Sequence, residues 1–137
     1  VFEIDHHMGI VISGMTADAR FLTKFMRNEC LNYEYAHGSN HPCERLVVKI
    51  GKKSQVKTCN PSKRPFGVGL LIGSIDEAGT HLFETCPSGN YYEFVAMAIG
   101  DRCQSAKTYM EKHFETFGGK SLDELIKHGV SALRASA

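Results

Sequence analysis

No run of about 20 apolar residues, the length a helix needs to cross a bilayer, occurs in this chain, and no stretch reads as a secretory signal peptide. No two cysteines are spaced C-x-x-C. The five, Cys30, Cys43, Cys59, Cys86 and Cys103, are odd in number and widely spread, which argues against a disulfide scaffold or a zinc ribbon and fits a reducing intracellular compartment. Neither sign of charge dominates either: 16 Lys and Arg are interspersed with 15 Asp and Glu for a formal net charge of +1. The electrostatic footprint of a nucleic-acid or membrane-surface binder is therefore missing. The basic cluster Lys49, Lys52, Lys53, Lys57, Lys63 and Arg64 has no interleaved aromatic for base stacking. It reads as a solvated helix face and loop rather than a phosphate-binding patch.

What is present is enough for one domain with a real core: 137 residues, 42% of them hydrophobic. The chain is organised around Arg64-Pro65-Phe66-Gly67-Val68-Gly69-Leu70-Leu71-Ile72-Gly73, and from Phe66 to Ile75 it carries no charge. The glycines argue against a core helix, where each costs roughly 1 kcal/mol relative to alanine. The run reads instead as a buried central strand covered on both faces. Gly67 and Gly69, at alternate positions, would leave one face nearly bare for a helix to approach closely.

Around it the pattern alternates between periods of two and 3.6. Val1–Asp5 and Met8–Met15 read as a hairpin turning at His6-His7. Thr16, as N-cap, opens a helix to about Tyr33 with Phe21, Leu22, Phe25 and Met26 at helical spacing. Pro42 stands at the first position of a second helix carrying Cys43, Leu46, Val47 and Ile50 on one face. After the central strand, Asp76-Glu77-Ala78-Gly79 predicts a hairpin turn, His81–Thr85 a strand, and Tyr91–Ile99 a third. Asp101, as N-cap with Gln104 three residues on, predicts a helix with Ala106, Tyr109, Met110, His113 and Phe117 inward, stopped at Gly118-Gly119. Ser121-Leu122-Asp123-Glu124 is a capping box for a last helix with Leu122, Leu125, Ile126, Val130 and Leu133 on one face. The order predicts an α+β fold, a four-layer αββα sandwich forming a single domain over 1–137. Because the chain begins in mid-strand pattern and stops at a helix, it is expected to be an internal piece of a longer protein, truncated at both ends.

Chemistry-bearing clusters are sparse. Asp5-His6-His7 at a strand end is the best of them, since an aspartate and two histidines could hold a divalent metal for phosphoester hydrolysis. Such a site needs further carboxylates and an open coordination position, and the simpler reading is a polar hairpin turn. His37, His41 and Cys43 lack a fourth zinc ligand at workable spacing. Gly67-x-Gly69-x-x-x-Gly73 falls inside a strand, not in a phosphate-binding loop. Cys86 in Cys86-Pro87-Ser88-Gly89 has no base marked for it, and Tyr91-Tyr92 straddles a strand. No catalytic, cofactor-binding or metal-ligating residue is assigned.

Two blocks, Gly14-Met15-Thr16-Ala17-Asp18-Ala19-Arg20 and Arg64-Pro65-Phe66-Gly67-Val68, occur in this order with a helix pair between them, and together they resemble the alpha subunits of the proteasome core particle. Phe25–Cys30, Glu44–Leu46, Gly69–Ile72, Thr85–Ser88, Gln104–Tyr109 and Leu125–Gly129 are similar to the type-1 branch of the eukaryotic family. Gly89 and the Lys57–Lys63 loop depart from its pattern. The resemblance implies an N-terminal-nucleophile-hydrolase sandwich without catalysis. In that fold an N-terminal Thr, Ser or Cys uses its own α-amine as base, and alpha subunits carry an N-terminal extension in its place. It further implies no cofactor, and as partners neighbouring alpha subunits, beta subunits and regulatory particles, with neither nucleic acid nor membrane. The implied role is to form the ring that gates substrate entry for ubiquitin-dependent degradation, in cytoplasm and nucleus. The alternative reading is the metal-dependent phosphohydrolase at Asp5, His6 and His7.

Overall fold

Five antiparallel strands stand side by side in chain order: β1 (Phe2–Asp5), β2 (Met8–Gly14), β3 (Val68–Asp76), β4 (Gly79–Thr85) and β5 (Tyr91–Glu93). A computed structural model describes residues 1–137, which fall into two units, Val1–Phe94 and Val95–Ala137. The first holds the sheet together with α1 (Thr16–His37) and α2 (Cys43–Cys59). The second holds α3 (Cys103–His113), a 3-10 turn at Phe114–Thr116 and α4 (Leu122–Ser136).

In the first unit the uncharged run is the central strand, β3, flanked by β2 and β4. Its alternate residues Val68, Leu70 and Ile72 are buried with Met8, Ile10 and Phe83 from the neighbouring strands. Leu22, Met26 and Cys30 of α1 and Leu46, Val47 and Ile50 of α2 close the same core. The helices thus repeat their apolar residues at the spacing that lays one stripe on one sheet face. The expectation that both faces of β3 are covered needs correction. The opposite face, Gly69, Leu71, Gly73 and Ile75, is half-buried or exposed, Ile75 to 57%. Both helices lie on the other side, and a Cβ placed on Gly73 would meet nothing within 4 Å. Gly69 and Gly73 therefore mark an open sheet face and not a helix contact.

Element ends shift in three places. α1 continues past Tyr33 to His37, because nothing in Glu34-Tyr35-Ala36 stops it before Gly38 turns left-handed at φ 69° and donates its amide to Glu34 O at 2.7 Å. Thr16 is the first helical residue and Met15 the cap, without a side-chain bond; Asp18 takes over the polar work at this end, as described below. The strand read over Tyr91–Ile99 ends at Glu93. The Phe94 amide still donates to Leu82 O at 2.8 Å, and no strand forms over residues 95–99.

In the second unit the capping box forms as read. Ser121 N donates to Glu124 Oε2 at 3.0 Å, and Ser121 Oγ accepts from Glu124 N at 3.4 Å. At the other helix, Arg102 occupies the cap position in a left-handed conformation (φ 54°), so Asp101 does not cap α3. The two helices meet through Tyr109, His113 and His128. Tyr109 stacks on His113 at 4.4 Å, and its hydroxyl lies 3.1 Å from His128 Nδ1. Leu122, Ile126, Val130 and Leu133 of α4 are exposed.

Candidate functional site

The two motif blocks meet where β2 passes into α1. Gly14 is the last residue of β2 and pairs with Val68, the first of β3. Its φ of 128° lies outside what L side chains adopt readily, and a Cβ there would collide with the Gly67 carbonyl. Next to it, Met15 N donates to Gly67 O at 2.8 Å. Gly67 is tight in turn, because a Cβ on it would lie 2.6 Å from Met15 Sδ. Glycine at position 14 is thus a backbone requirement of this crossing, whereas a side chain at position 67 would have to displace the half-exposed Met15 side chain.

Asp18, in the first turn of α1, completes the link. Its two carboxylate oxygens accept from Arg64 Nη1 at 2.7 Å and Nη2 at 2.9 Å, a bidentate fork, and Oδ2 also accepts from Gly67 N at 2.9 Å. The Arg64 hydrogen bonds, followed by the Gly67 amide, lower the carboxyl to about 2, and Asp18 raises the Arg64 guanidinium in return. Around this pair Phe21 stacks on Phe66 at 5.9 Å, and the ammonium groups of Lys53 and Lys57 sit over the rings of Phe25 and Phe66 at 4.5 and 5.4 Å. Asp18, Lys57, Lys63, Arg64 and Phe66 line a cleft of about 170 Å³. With its acceptors engaged, Asp18 is a clamp between α1 and the entry to β3, held too far below neutrality to serve as a base at pH 7.

The other candidates do not assemble. Asp5 Oδ1 accepts from the His6 amide at 2.8 Å, while the His6 ring points outward, 87% exposed. The His7 ring is buried and turned the other way, its Nε2 donating to His41 O at 2.9 Å. Its Nδ1 has no hydrogen-bond partner and stands 3.6 Å from Asp5 Oδ2. His6 Nε2 and His7 Nδ1 each stand 3.6 Å from an oxygen of Asp5, one ring at the surface and the other buried, and no three His, Cys, Asp or Glu side chains in the chain form a ligand set.

His37, His41 and Cys43 likewise separate. Tyr33 lies between the rings of His37, at 4.2 Å, and His41, at 4.5 Å. Burial lowers His41 and pushes the Cys43 thiol up to about 12 and the Cys30 thiol to about 11, so neither sulfur offers a thiolate at neutral pH. Cys86 sits in the β4–β5 turn, its amide donating to Asn90 O at 2.9 Å, and burial raises its thiol as well. Tyr91 packs against Gly51 of α2, and Tyr92 lies 6.3 Å from Phe94.

Sequence reasoning missed two constellations: the Asp18–Arg64 fork, whose partners are far apart in the chain, and His81, held between Asp76 and Glu93 on adjoining strands. Alternation along β4 puts His81 on the core face with Phe83, which was the signal available for the second.

A sheet backed by a helix pair, with the strand-to-helix crossing locked by these two blocks, agrees with the family comparison. The chain belongs to the proteasome subunit family, whose model matches residues 1–137. Among its relatives, the proteasome subunit alpha type-1 of Dictyostelium discoideum is 54% identical over 98% of this chain and 54% of its own length. The alpha type-1 subunit of Trypanosoma brucei rhodesiense is 47% identical over 98% of this chain and 51% of its own. That of Drosophila melanogaster is 44% identical over 97% and 48%. The chain thus spans about half the length of the curated relatives it matches.

Proposed function

We propose that this chain acts as a non-catalytic structural alpha subunit in the outer ring of the proteasome core particle. There it packs beside other alpha subunits, seats on the beta subunits, helps gate substrate entry and docks regulatory particles for ubiquitin-dependent degradation. The observation that carries this reading is the identity of 44–54% to alpha type-1 subunits across nearly the whole chain. The site geometry supports it, because the motif residues are consumed in holding one element against another and leave no acid–base pair poised for reaction. On this reading the protein resides in cytoplasm and nucleus. No observation favours the phosphohydrolase alternative, since Asp5, His6 and His7 form no metal-ligand set and the buried His7 ring is engaged by the His41 carbonyl.

The test is purification of the full-length protein through an affinity tag under native conditions, with the mass of the complex measured and its subunits identified. The expected result is a large particle containing beta subunits with processed N-terminal threonines, recovered from both cytoplasmic and nuclear fractions. A small species free of other proteasome subunits would overturn the proposal.

A further inference from the structure

Three strands of the first unit meet at one histidine, and a helix joins them through one of its partners. Asp76 ends β3, His81 lies on β4, Glu93 ends β5 and Cys43 opens α2. The imidazole stands between two carboxylates, with Nδ1 2.7 Å from Glu93 Oε1 and Nε2 3.0 Å from Asp76 Oδ1. A neutral imidazole donates from one nitrogen only, whereas both donate in the imidazolium. Both contacts are hydrogen bonds together only while the ring carries its second proton. We propose that His81 is a proton-operated tie: protonated, it fastens the edge strand β5 to the end of β3 and, through Asp76, to the N-terminus of α2; deprotonated, it lets the β5 arm go.

The asymmetry between the two carboxylates decides which arm is released. Asp76 is anchored independently, Oδ2 accepting from Cys43 N at 3.2 Å and Oδ1 from Ala78 N at 2.9 Å, and its side chain is only 11% exposed. Glu93 is 51% exposed, and its one hydrogen bond is to His81. It ends a strand of three residues at the sheet edge. A neutral ring keeps its proton on Nε2 facing Asp76 and turns a lone pair towards Glu93, which then moves into water.

The remaining neighbours do not compete for the ring. Phe83 stacks on it at 6.0 Å from β4 itself, and the Cys43 thiol of α2 is neutral, pushed up to about 12. Arg45 of α2, Glu77 of the β3–β4 turn and His7 of the β1–β2 turn share a cavity wall with Asp76 but make no hydrogen bond to His81. Glu93 first, and Asp76 with it, raise His81 above its ordinary 6.5, against the opposing effect of burial. The tie is therefore fully made below about pH 6.5 and is lost as pH rises through the raised value.

Hydrogen exchange of the full-length protein in its native assembly tests this, following the peptide that carries Tyr91–Phe94 between pH 6 and pH 9 with intrinsic exchange rates corrected. Protection of that peptide is expected to fall about two- to fivefold across the titration, the range of a half-exposed ion pair. Glu93→Gln is expected to show the lower protection at both ends. His81→Arg, a permanent cation with several donors, is expected to hold the higher protection throughout. Flat protection in the wild type, or the same pH dependence in Glu93→Gln or His81→Arg as in the wild type, would overturn the proposal.

Discussion

Asp18 carries more of the junction than any other side chain, and its loss should be measurable. Asp18→Asn keeps the size and one acceptor oxygen but gives up the charge and the fork to the exposed Arg64. We expect it to destabilise the full-length protein by about 1–2 kcal/mol, the range of one or two hydrogen bonds to a charged group near the surface, read as a lowered denaturation midpoint. Because the folded carboxyl is lowered to about 2 from an ordinary 3.8, the stabilisation is fully present above about pH 4. It drains away as pH falls towards 2, and Asp18→Asn should flatten that part of the acid-denaturation curve. Equal acid sensitivity in the two proteins would refute the assignment.

A second single-residue test lies at Gly89, where φ is 95° and a Cβ would come within 2.8 Å of Gly51 O. A Cβ on Gly51 would in turn lie 2.9 Å from Gly89 O, so the helix and the β4–β5 turn touch backbone to backbone. Gly89→Ala combines a left-handed strain of about 1–2 kcal/mol with this collision. We expect a loss of about 2–3 kcal/mol in thermal or denaturant unfolding, and a neutral outcome would show that the turn can move off α2.

Among the elements, α4 is the helix whose start depends most visibly on local side chains, because Ser121 and Glu124 bond each other's backbone reciprocally. Ser121→Ala should cost about 1 kcal/mol, seen as faster amide exchange in the first turn of α4 and little change elsewhere. This helix start was legible because its signal is complete within four residues. α1 and α2 were legible from their apolar spacing, and β3 from its uncharged run. The end of β5 was not, since Phe94-Val95-Ala96-Met97-Ala98-Ile99 alternates as a strand would, yet no strand forms over residues 95–99. The start of α3 was missed for a related reason: Asp101 has the right chemistry, but the backbone enters the helix through a left-handed Arg102.

For the molecule as a whole, α+β character and family were readable because apolar periodicity and the two motif blocks are local patterns. The candidate site was readable only in part. Gly14 and Gly67 could be recognised as special but not as touching, and Asp18 offered a sufficient local role as an acid near a helix N-terminus. Its bond to Arg64 depends on the pairing of Gly14 with Val68, a register that no short window contains. Asp5-His6-His7 shows the reverse case. The three are adjacent in sequence, yet the hairpin sends one imidazole outward and the other into the core.

That Gly14–Val68 pairing also has a kinetic side. β1–β2, β3–β4 and β4–β5 are joined by short turns and can form early, whereas β2 and β3 meet only after the chain has closed a loop on the order of fifty residues, at an entropic cost of about 3–4 kcal/mol. The helix pair is that loop, and the Asp18–Arg64 fork spans its mouth. The two blocks on which the family resemblance rests are therefore the two ends of the longest closure in the sheet, and the fork between them is a non-local contact whose hydrogen bonds are gained only once that closure is made.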